Sequence, residues 1–180
     1  MSDDRTIVQQ VLDGRPGAFE RLVARHERLV WHIVLRMAGN EADAGDLVQE
    51  TFLRVFRKLG QYRFDAKLAT WIGRVAYSVA LRFLERRRPE VTLLDDQEFV
   101  SDDPGPERLA EAANAESSVA LAMQALAPIP RTIVSLFHLQ DLSIEEIAAV
   151  TGLPAGTVKS HLFRARRKMR RALDAAGVGL

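Results

Sequence analysis

Apolar residues recur along this chain at intervals of three and four, which is the spacing of one helix face. The longest such face runs from Phe19 to Met37 and stops at the helix-ending pair Gly39-Asn40. The same spacing predicts further helices over residues 5–12, 42–59 and 71–88. No stretch of useful length alternates between apolar and polar positions, so the sequence predicts an all-α protein.

The helical pattern is interrupted in the middle of the chain by an acidic segment, with Pro104-Gly105-Pro106 as a helix breaker. Its carboxylates are those of Asp95, Asp96, Glu98, Asp102, Asp103, Glu107, Glu111 and Glu116. Runs of like charge are typical of solvated connecting segments. We therefore predict two small helical domains, residues 1–90 and 117–180, joined by a flexible acidic linker over residues 91–116.

The C-terminal domain contains the pattern of two short helices around a glycine turn. Ser143 and Glu146 have the spacing of a capping box, and Gly152 can adopt the positive φ that ends a helix. Val158 and Leu162, one turn apart, form the buried stripe of the second helix. This arrangement predicts a helix-turn-helix whose second helix reads DNA.

Positive charge accumulates directly after the turn. Between residues 157 and 173 there is no carboxylate, and the cations are Lys159, Arg164, Arg166, Arg167, Lys168, Arg170 and Arg171. A solvated helix face usually carries both signs of charge, whereas a face of one sign attracts phosphates. The net charge of +1 conceals this asymmetry, which indicates a nucleic-acid partner.

Composition excludes several kinds of site. The chain of 180 residues has no cysteine, which excludes disulfides and thiolate zinc sites. Its first residues, Met1-Ser2-Asp3-Asp4-Arg5, lack the apolar core of a signal peptide, and no apolar run is long enough to span a bilayer. We expect a cytoplasmic protein with no cofactor, no metal, no small-molecule substrate and no direct insertion into a membrane.

Three motifs, in order along the chain, carry a family resemblance. They are Asp46-Leu47-Val48-Gln49-Glu50 and its continuation to Arg57, then Thr70-Trp71-Ile72 with Arg74-Val75-Ala76, then Gly156-Thr157-Val158-Lys159-Ser160 with Arg164-Ala165-Arg166. Together they resemble the extracytoplasmic-function, or group IV, sigma factors of bacterial RNA polymerase, over nearly the whole chain outside the linker. The resemblance implies that the two domains are sigma regions two and four.

A protein of this kind is not an enzyme itself but a subunit that binds core RNA polymerase and directs promoter recognition, promoter melting and transcription initiation. The resemblance implies that one helix face docks on the clamp of the largest polymerase subunit. The matching residues are Asp46, Gln49, Glu50, Arg54 and Arg57. The polymerase flap and an anti-sigma factor are further candidate partners. Gly45 stands where a Glu is common in relatives, which makes this acidic surface weaker.

The resemblance assigns the capture of unpaired −10 bases to a loop near residue 63 and the helix that follows. The matching residues are Arg63, Phe64, Asp65, Lys67, Thr70, Trp71, Arg74, Ser78 and Arg82. Stacking groups and cations on the strand can offset the cost of unstacking a base. Trp71 itself occupies an apolar helical position, where core packing is the more frequent role.

The chain departs from the family pattern in this region. Leu68 stands where Phe is usual, Tyr77-Ser78 where many relatives have Arg-Asn, and Arg82 where Asp is often found. The identity of the −10 bases that this chain prefers is therefore open.

The C-terminal domain resembles the reader of the −35 element. The matching residues are Thr157, Lys159, Ser160, His161, Phe163, Arg164, Arg166 and Arg167. Arg164 is suited to bidentate contact with guanine, and Phe163 to a thymine methyl group. Of the four histidines, His26, His32 and His138 are expected in or beside the cores, and His161 is expected to be exposed.

Two other functions fit parts of the pattern. A stand-alone helix-turn-helix regulator that binds DNA as a dimer would need only the C-terminal domain. A metal-dependent nuclease could use Asp43, Asp46 and Glu50, which share a helix face, but no histidine or second acidic helix obviously converges on them. Association with core polymerase separates a sigma factor from both alternatives.

Overall fold

The structure of the protein is a computed structural model that describes residues 2–87 and 115–175. Over these two ranges it contains eight α-helices and a short 3-10 turn, Leu59–Gln61, and no strand. The helices are α1 Ser2–Leu12, α2 Ala18–Ala38, α3 Glu41–Lys58, α4 Leu68–Arg87, α5 Ala115–Gln124, α6 Pro128–Leu139, α7 Ile144–Thr151 and α8 Ala155–Ala175. The predicted all-α fold is confirmed. The predicted acidic linker lies, except for its last two residues, outside the described residues.

Local signals set most of the helix ends. Gly39 adopts a φ of 82° after α2, and its N–H donates to the carbonyl of Leu35 at 2.9 Å. The side chain of Asn40 accepts a hydrogen bond of 2.9 Å from the N–H of Asp43 and so caps α3. These two residues explain why α2 and α3 are separated by so short a connection.

The start of α4 depends on a contact that is distant in sequence. The carboxylate of Asp4, in α1, accepts a hydrogen bond of 3.1 Å from the N–H of Leu68. A carboxylate at a helix N-terminus satisfies an unpaired donor and complements the helix dipole. The helix therefore begins at Leu68, three residues before the predicted start at Trp71.

The N-terminal bundle, α1–α4, has an apolar centre in which α2 packs against both α3 and α4. Its largest fully buried side chains include those of Leu22, Ile33, Met37, Leu68 and Ile72. His26 is also buried, as predicted, and its Nε2 has no hydrogen-bond partner within the described residues. Burial, followed by the nearby charge of Arg25, lowers the pKa of His26.

The lowered pKa of His26 predicts a loss of stability in mild acid. In the unfolded chain His26 takes up a proton as pH drops below the ordinary pKa of 6.5. Folded His26 stays neutral to a lower pH. The free energy of unfolding should therefore fall as pH drops below 6.5. The slope reaches about 1.4 kcal/mol per pH unit for one such group, until the lowered folded pKa is passed. His26→Leu should make the melting temperature less dependent on pH between 7 and 5; an unchanged slope would contradict this account.

In the C-terminal bundle, α5–α8, an arginine links the end of one helix to the start of the next. The guanidinium of Arg131 donates to the carbonyls of Met123, Gln124 and Leu126 at 3.0, 2.9 and 2.7 Å. Carbonyls in the last turn of a helix lack partners within that helix. Arg131 therefore holds the end of α5 against the start of α6.

The two bundles pack on each other, which the sequence did not indicate. Helix α6 lies against α2, and α7 lies against α4. Gly73 of α4, Val150 of α7 and Ile33 of α2 meet at this contact, and all three are buried. The buried apolar residues of both bundles consequently form one continuous core.

Two predictions of burial are wrong. Helical spacing predicts a core face of α3 made of Leu47, Val48, Phe52, Val55, Phe56 and Leu59. Phe56 instead has 56% of its surface exposed and touches Phe19 edge to face at 5.0 Å. His138, which was expected in or beside a core, is exposed at the end of α6. Both residues lie near the edge of an apolar stripe, where helical periodicity alone does not separate inside from outside.

Candidate nucleic-acid interface and docking face

The helix-turn-helix is built by short-range contacts. The hydroxyl of Ser143 accepts from the N–H of Glu146 at 3.1 Å, and the carboxylate of Glu146 accepts from the N–H of Ser143 at 3.0 Å. This is the predicted capping box at the start of α7. Gly152 has a φ of 75° and its N–H donates to the carbonyl of Ala148 at 2.8 Å, which ends α7 and turns the chain into α8.

Helix α8 buries one face and presents the other. Val158, Leu162 and Ala165 are buried. The exposed side chains between residues 159 and 168 are those of Lys159, Ser160, Phe163, Arg164, Arg166, Arg167 and Lys168. Thr157 is half-buried, and so is His161, which the sequence predicts to be exposed. With 63% of its surface exposed, Phe163 is a large apolar side chain without a core role. The predicted −35 residues therefore share one accessible helix.

Two of the predicted −35 arginines lie on different sides of α8. The guanidinium of Arg167 lies 5.9 Å from the ring of Phe163, on the outward face. That of Arg166 lies 5.9 Å from the ring of Phe137, on the side of α8 that faces α6. Arg166 also lines an apolar groove of about 310 Å³ between these helices, with Val134, His138, Met169, Arg170 and Leu173.

A second groove, again of about 310 Å³, lies between α3 and α4 in the N-terminal bundle. It is lined by Arg54, Lys58, Gln61, Trp71, Arg74, Val75, Ser78 and Arg82. Four of these residues are cationic and none is acidic. Exposed Arg74, Ser78 and Arg82 follow one another at intervals of four, along one face of α4.

The structure brings together only some of the predicted −10 residues. Trp71, Arg74, Ser78 and Arg82 line the basic groove, whereas Thr70 is buried with 8% of its surface exposed. Trp71 is half-buried, and its ring lies 5.4 Å from that of Tyr62. It therefore packs against the core on one side and faces the groove on the other. Arg54, predicted for polymerase docking, lies in this groove as well, and its Nε is 2.5 Å from the carboxylate of Glu50.

The remaining −10 residues, Arg63, Phe64, Asp65 and Lys67, lie in the loop before α4. The hydroxyl of Tyr62 donates to the carbonyl of Ala66 at 2.6 Å and so closes this loop. Phe64 has a φ of 62°, and the guanidinium of Arg5 covers its ring at 4.7 Å. Positive φ is costly for an aromatic residue and is retained where surrounding contacts hold it. Arg5, in α1, therefore contributes to the shape of this loop, a contact that the sequence pattern does not reveal.

The departures from the family pattern have different structural roles. Tyr77 is buried, and burial raises its pKa to about 12. Its hydroxyl has no hydrogen-bond partner among the described residues. Ser78 and Arg82, in contrast, open into the basic groove. The position of Tyr77 is therefore structural, and Ser78 and Arg82 are the departures that a bound strand would meet.

The face of α3 that is predicted to dock on polymerase carries both polar and apolar exposed side chains. Asp46, Gln49 and Arg57 are exposed, as predicted for a docking face. Leu53 and Phe56 lie between them with 52% and 56% of their surfaces exposed. These two residues were missed, although Leu53 follows Gln49 by four positions and so shares its helix face. Exposed apolar residues within a polar rim are typical of protein interfaces.

Two of the three carboxylates that suggested a nuclease, those of Asp43 and Glu50, are engaged in other contacts. The carboxylate of Asp43 accepts from the guanidinium of Arg87 at 2.7 Å and from the amide of Asn40 at 2.6 Å. Glu50 pairs with Arg54. Within the described ranges no three histidine or acidic residues are grouped so that they could hold a metal ion. The same ranges contain no helix with the length and apolar character needed to cross a membrane.

Both bundles match known protein families. Residues 22–90 match the family Sigma-70 region 2, and residues 117–169 match Sigma-70, region 4. The basic groove and the α3 face lie in the first match, and the helix-turn-helix lies in the second.

Similar proteins cover almost the whole chain. RNA polymerase sigma-H factor of Pseudomonas aeruginosa is 33% identical over 181 residues, which covers 95% of this chain and 94% of that protein. ECF RNA polymerase sigma-E factor of Salmonella typhimurium is 34% identical over 173 residues, covering 91% and 90%. The solved structure of CnrH in complex with the cytosolic domain of CnrY superposes with a TM-score of 0.68 at 27% identity, covering 96% of this chain and 97% of that one. This chain belongs to the extracytoplasmic-function sigma factors of the sigma-70 family.

Proposed function

We propose that the protein is a cytoplasmic, non-catalytic subunit that binds core RNA polymerase and directs it to promoters, where it melts the −10 element and reads the −35 element. The observation that carries this proposal is the presence, on one chain, of an exposed docking face, a basic groove and a basic recognition helix. A stand-alone regulator has no need of the first two surfaces.

The basic groove supports the capture of a single strand. A single-strand site combines cations for the phosphates with aromatic faces for the bases. Arg74, Arg82 and Lys58 supply exposed charge, and Trp71 and Ser78 supply a ring edge and a hydrogen-bonding hydroxyl. The loop with Arg63 and Phe64 leads into this groove from the start of α4.

The exposed face of α8 supports reading of the −35 element in the major groove. Its small and polar residues lie in the first turns, where a recognition helix meets base edges, and its cations continue toward the C-terminus. In our proposal Lys159, Ser160, Phe163 and Arg164 meet the bases, and later arginines meet phosphates.

Arg164→Ala is expected to relax base preference at one −35 position by about 1–3 kcal/mol, because a bidentate arginine–guanine contact is lost. The measurement is transcription from a panel of single-base −35 variants. Arg171→Ala is the matched control, since Arg171 is exposed two turns later on the same helix, and it should weaken all promoters alike. Equal losses on every variant for Arg164→Ala would make Arg164 a phosphate contact.

The test of the whole proposal is reconstitution. Purified protein should bind core polymerase and start transcription at a defined site on a promoter selected from genomic fragments. A protein that binds DNA as a dimer without any effect on polymerase would favour the stand-alone regulator.

The solved relative CnrH is bound to the cytosolic domain of CnrY, and we propose an anti-sigma factor as a further partner of this chain.

A further inference from the structure

The first turn of α1 contacts the loop over residues 62–67 at two points. The guanidinium of Arg5 covers the ring of Phe64 in the middle of the loop, and the carboxylate of Asp4 accepts from the N–H of Leu68 directly after it. We propose that Asp4 and Arg5 are positioning residues for the −10 element, which hold this loop in the shape that meets an unpaired base. The inference rests on the proposed function for the role of the loop, but the contacts themselves can be tested without polymerase or DNA.

The backbone at Phe64 has a conformation that aromatic residues rarely adopt. Its φ is 62°. A side chain with a Cβ is disfavoured in this left-handed region, so the surrounding contacts must hold the residue there. The ring of Phe64 contacts the ring of Tyr62 at 4.5 Å between centroids and the guanidinium of Arg5 at 4.7 Å. Tyr62 belongs to the loop itself, whereas Arg5 holds the loop from another helix.

Tyr62 fixes the loop from inside. The residue is buried, and its hydroxyl donates to the carbonyl of Ala66 at 2.6 Å. Burial, followed by the nearby charge of Asp4, raises the pKa of Tyr62, so the hydroxyl keeps its proton and remains a donor. This hydrogen bond brings the two ends of the loop together. Phe64, midway between those ends, is left to be held by Arg5.

Asp4 ties the end of the loop to two helices. Its Oδ2 accepts from the N–H of Leu68 at 3.1 Å, and its Oδ1 lies 3.8 Å from the guanidinium of Arg25 in α2. Helix α1 is itself anchored in the core by Val8, which has 2% of its surface exposed. The first turn of α1 therefore has a fixed position, from which Asp4 and Arg5 act on the loop.

The loop presents polar side chains outward. Arg63 and Asp65, on either side of Phe64, are both exposed. A base that has left the stack is read by hydrogen bonds to its edge, and a guanidinium and a carboxylate can make them. The bases that these groups can reach depend on where the loop holds them. A loop that is ordered before binding also loses less entropy when a base enters. Arg5 therefore acts on base preference through Phe64, without touching DNA.

The variants for Arg5 are matched in charge and exposure. Arg5→Ala removes the guanidinium from the ring of Phe64, and Arg5→Lys restores a cation that can contact the same ring. Arg15→Ala is the control, because Arg15 is also exposed and lies after the end of α1. None of these changes alters the buried apolar face of α1, so the bundle should fold in every case.

The first measurement asks whether Arg5 and Phe64 interact in the free protein. It is a double-mutant cycle of Arg5→Ala and Phe64→Leu on the equilibrium constant of unfolding, since leucine is apolar but has no aromatic face. The two changes should be coupled by about two- to fivefold, which is the factor expected of an exposed cation–π contact. Arg15→Ala and Phe64→Leu should be additive. Additive effects of Arg5→Ala and Phe64→Leu would overturn the proposal.

The second measurement follows hydrogen exchange of the Leu68 N–H in the free protein. Asp4→Ala removes its acceptor and should accelerate exchange by about two- to tenfold, the range expected for one lost hydrogen bond. Asp4→Asn keeps a carbonyl oxygen and should have a smaller effect. Asp13→Ala is the control, since the exposed carboxylate of Asp13 accepts from Gln9. Equal exchange in Asp4→Ala and Asp13→Ala would show that Asp4 does not hold the loop.

The third measurement is base preference at the −10 element. Core polymerase carrying each variant is given promoter fragments with a randomised −10 element, and the fragments that form open complexes are sequenced. Arg5→Ala should reduce the preference at one or two −10 positions by about two- to fivefold, and Arg5→Lys should restore it. Affinity for core polymerase and preference at the −35 element should stay at the values of Arg15→Ala.

Two results of the third measurement would overturn the role in base preference. A profile for Arg5→Ala identical to that of Arg15→Ala would show that the reading of bases does not depend on Arg5. A uniform loss on all −10 sequences would show that Arg5 binds a phosphate instead. If the parent protein did not bind polymerase, the proposed function would fail, while the first two measurements still decided whether α1 holds the loop.

Discussion

Leu53→Asp is expected to weaken binding to core polymerase by at least about thirtyfold, which corresponds to the loss of an interface hot spot of about 2 kcal/mol. The reason is the position of Leu53 at the centre of the α3 face, between Gln49 and Phe56, with half of its surface exposed. In the bound state a carboxylate there would be desolvated against an apolar partner surface. The measurement is a titration of labelled protein with core enzyme.

The control for Leu53→Asp is Leu12→Asp. Leu12 is exposed to the same extent, 51% against 52%, but lies at the end of α1. Both variants should retain the parent's helical circular dichroism and melting temperature, because neither side chain is in the core. If Leu12→Asp weakened polymerase binding as much as Leu53→Asp, the docking face would be misassigned.

Reversing the charge of the basic groove with Arg74→Glu and Arg82→Glu together should abolish promoter melting. Each arginine is exposed on one face of α4, where it can bind a phosphate of the separated strand. Hydrogen bonds to charged groups contribute about 1.5–3 kcal/mol each, so losing both should lower the population of open complex by roughly 100-fold or more. Reactivity of unpaired thymines to permanganate reports this population.

Arg15→Glu with Arg28→Glu makes the same change in net charge at exposed positions outside the groove. This control should melt the promoter almost as well as the parent, and both double variants should still bind core polymerase. Unimpaired melting by the groove variant would mean that the single strand follows another path across the protein.

The helix-turn-helix could be predicted from sequence because its determinants are local. Ser143 and Glu146 are three residues apart, and Gly152 acts on the turn in which it lies. Physical preferences that act within one turn of helix are visible in a window of sequence. The predicted capping box and glycine turn are both confirmed.

The features that could not be predicted depend on residues far apart in the chain. Asp4 caps α4 from a distance of 64 residues, and Lys67 meets Glu146 from 79 residues away. Periodicity also fails at the margins of an apolar stripe, which is why Phe56 was placed inside and Leu53 was overlooked. The basic groove joins α3 and α4, so Arg54 could be linked to Arg74 and Ser78 only once the helix packing was known.

The side chain of Glu146 takes part in two structures at the same time. One of its oxygens accepts from the N–H of Ser143, which starts α7, and the other pairs with Lys67 across the two bundles. Glutamine could keep the first contact but not the charge of the second, and aspartate is one methylene shorter than glutamate. Natural variation at this position should accordingly be narrow. A substitution that changes the contact between the two bundles at this position therefore also changes the start of α7, the helix that supports the DNA-reading helix α8.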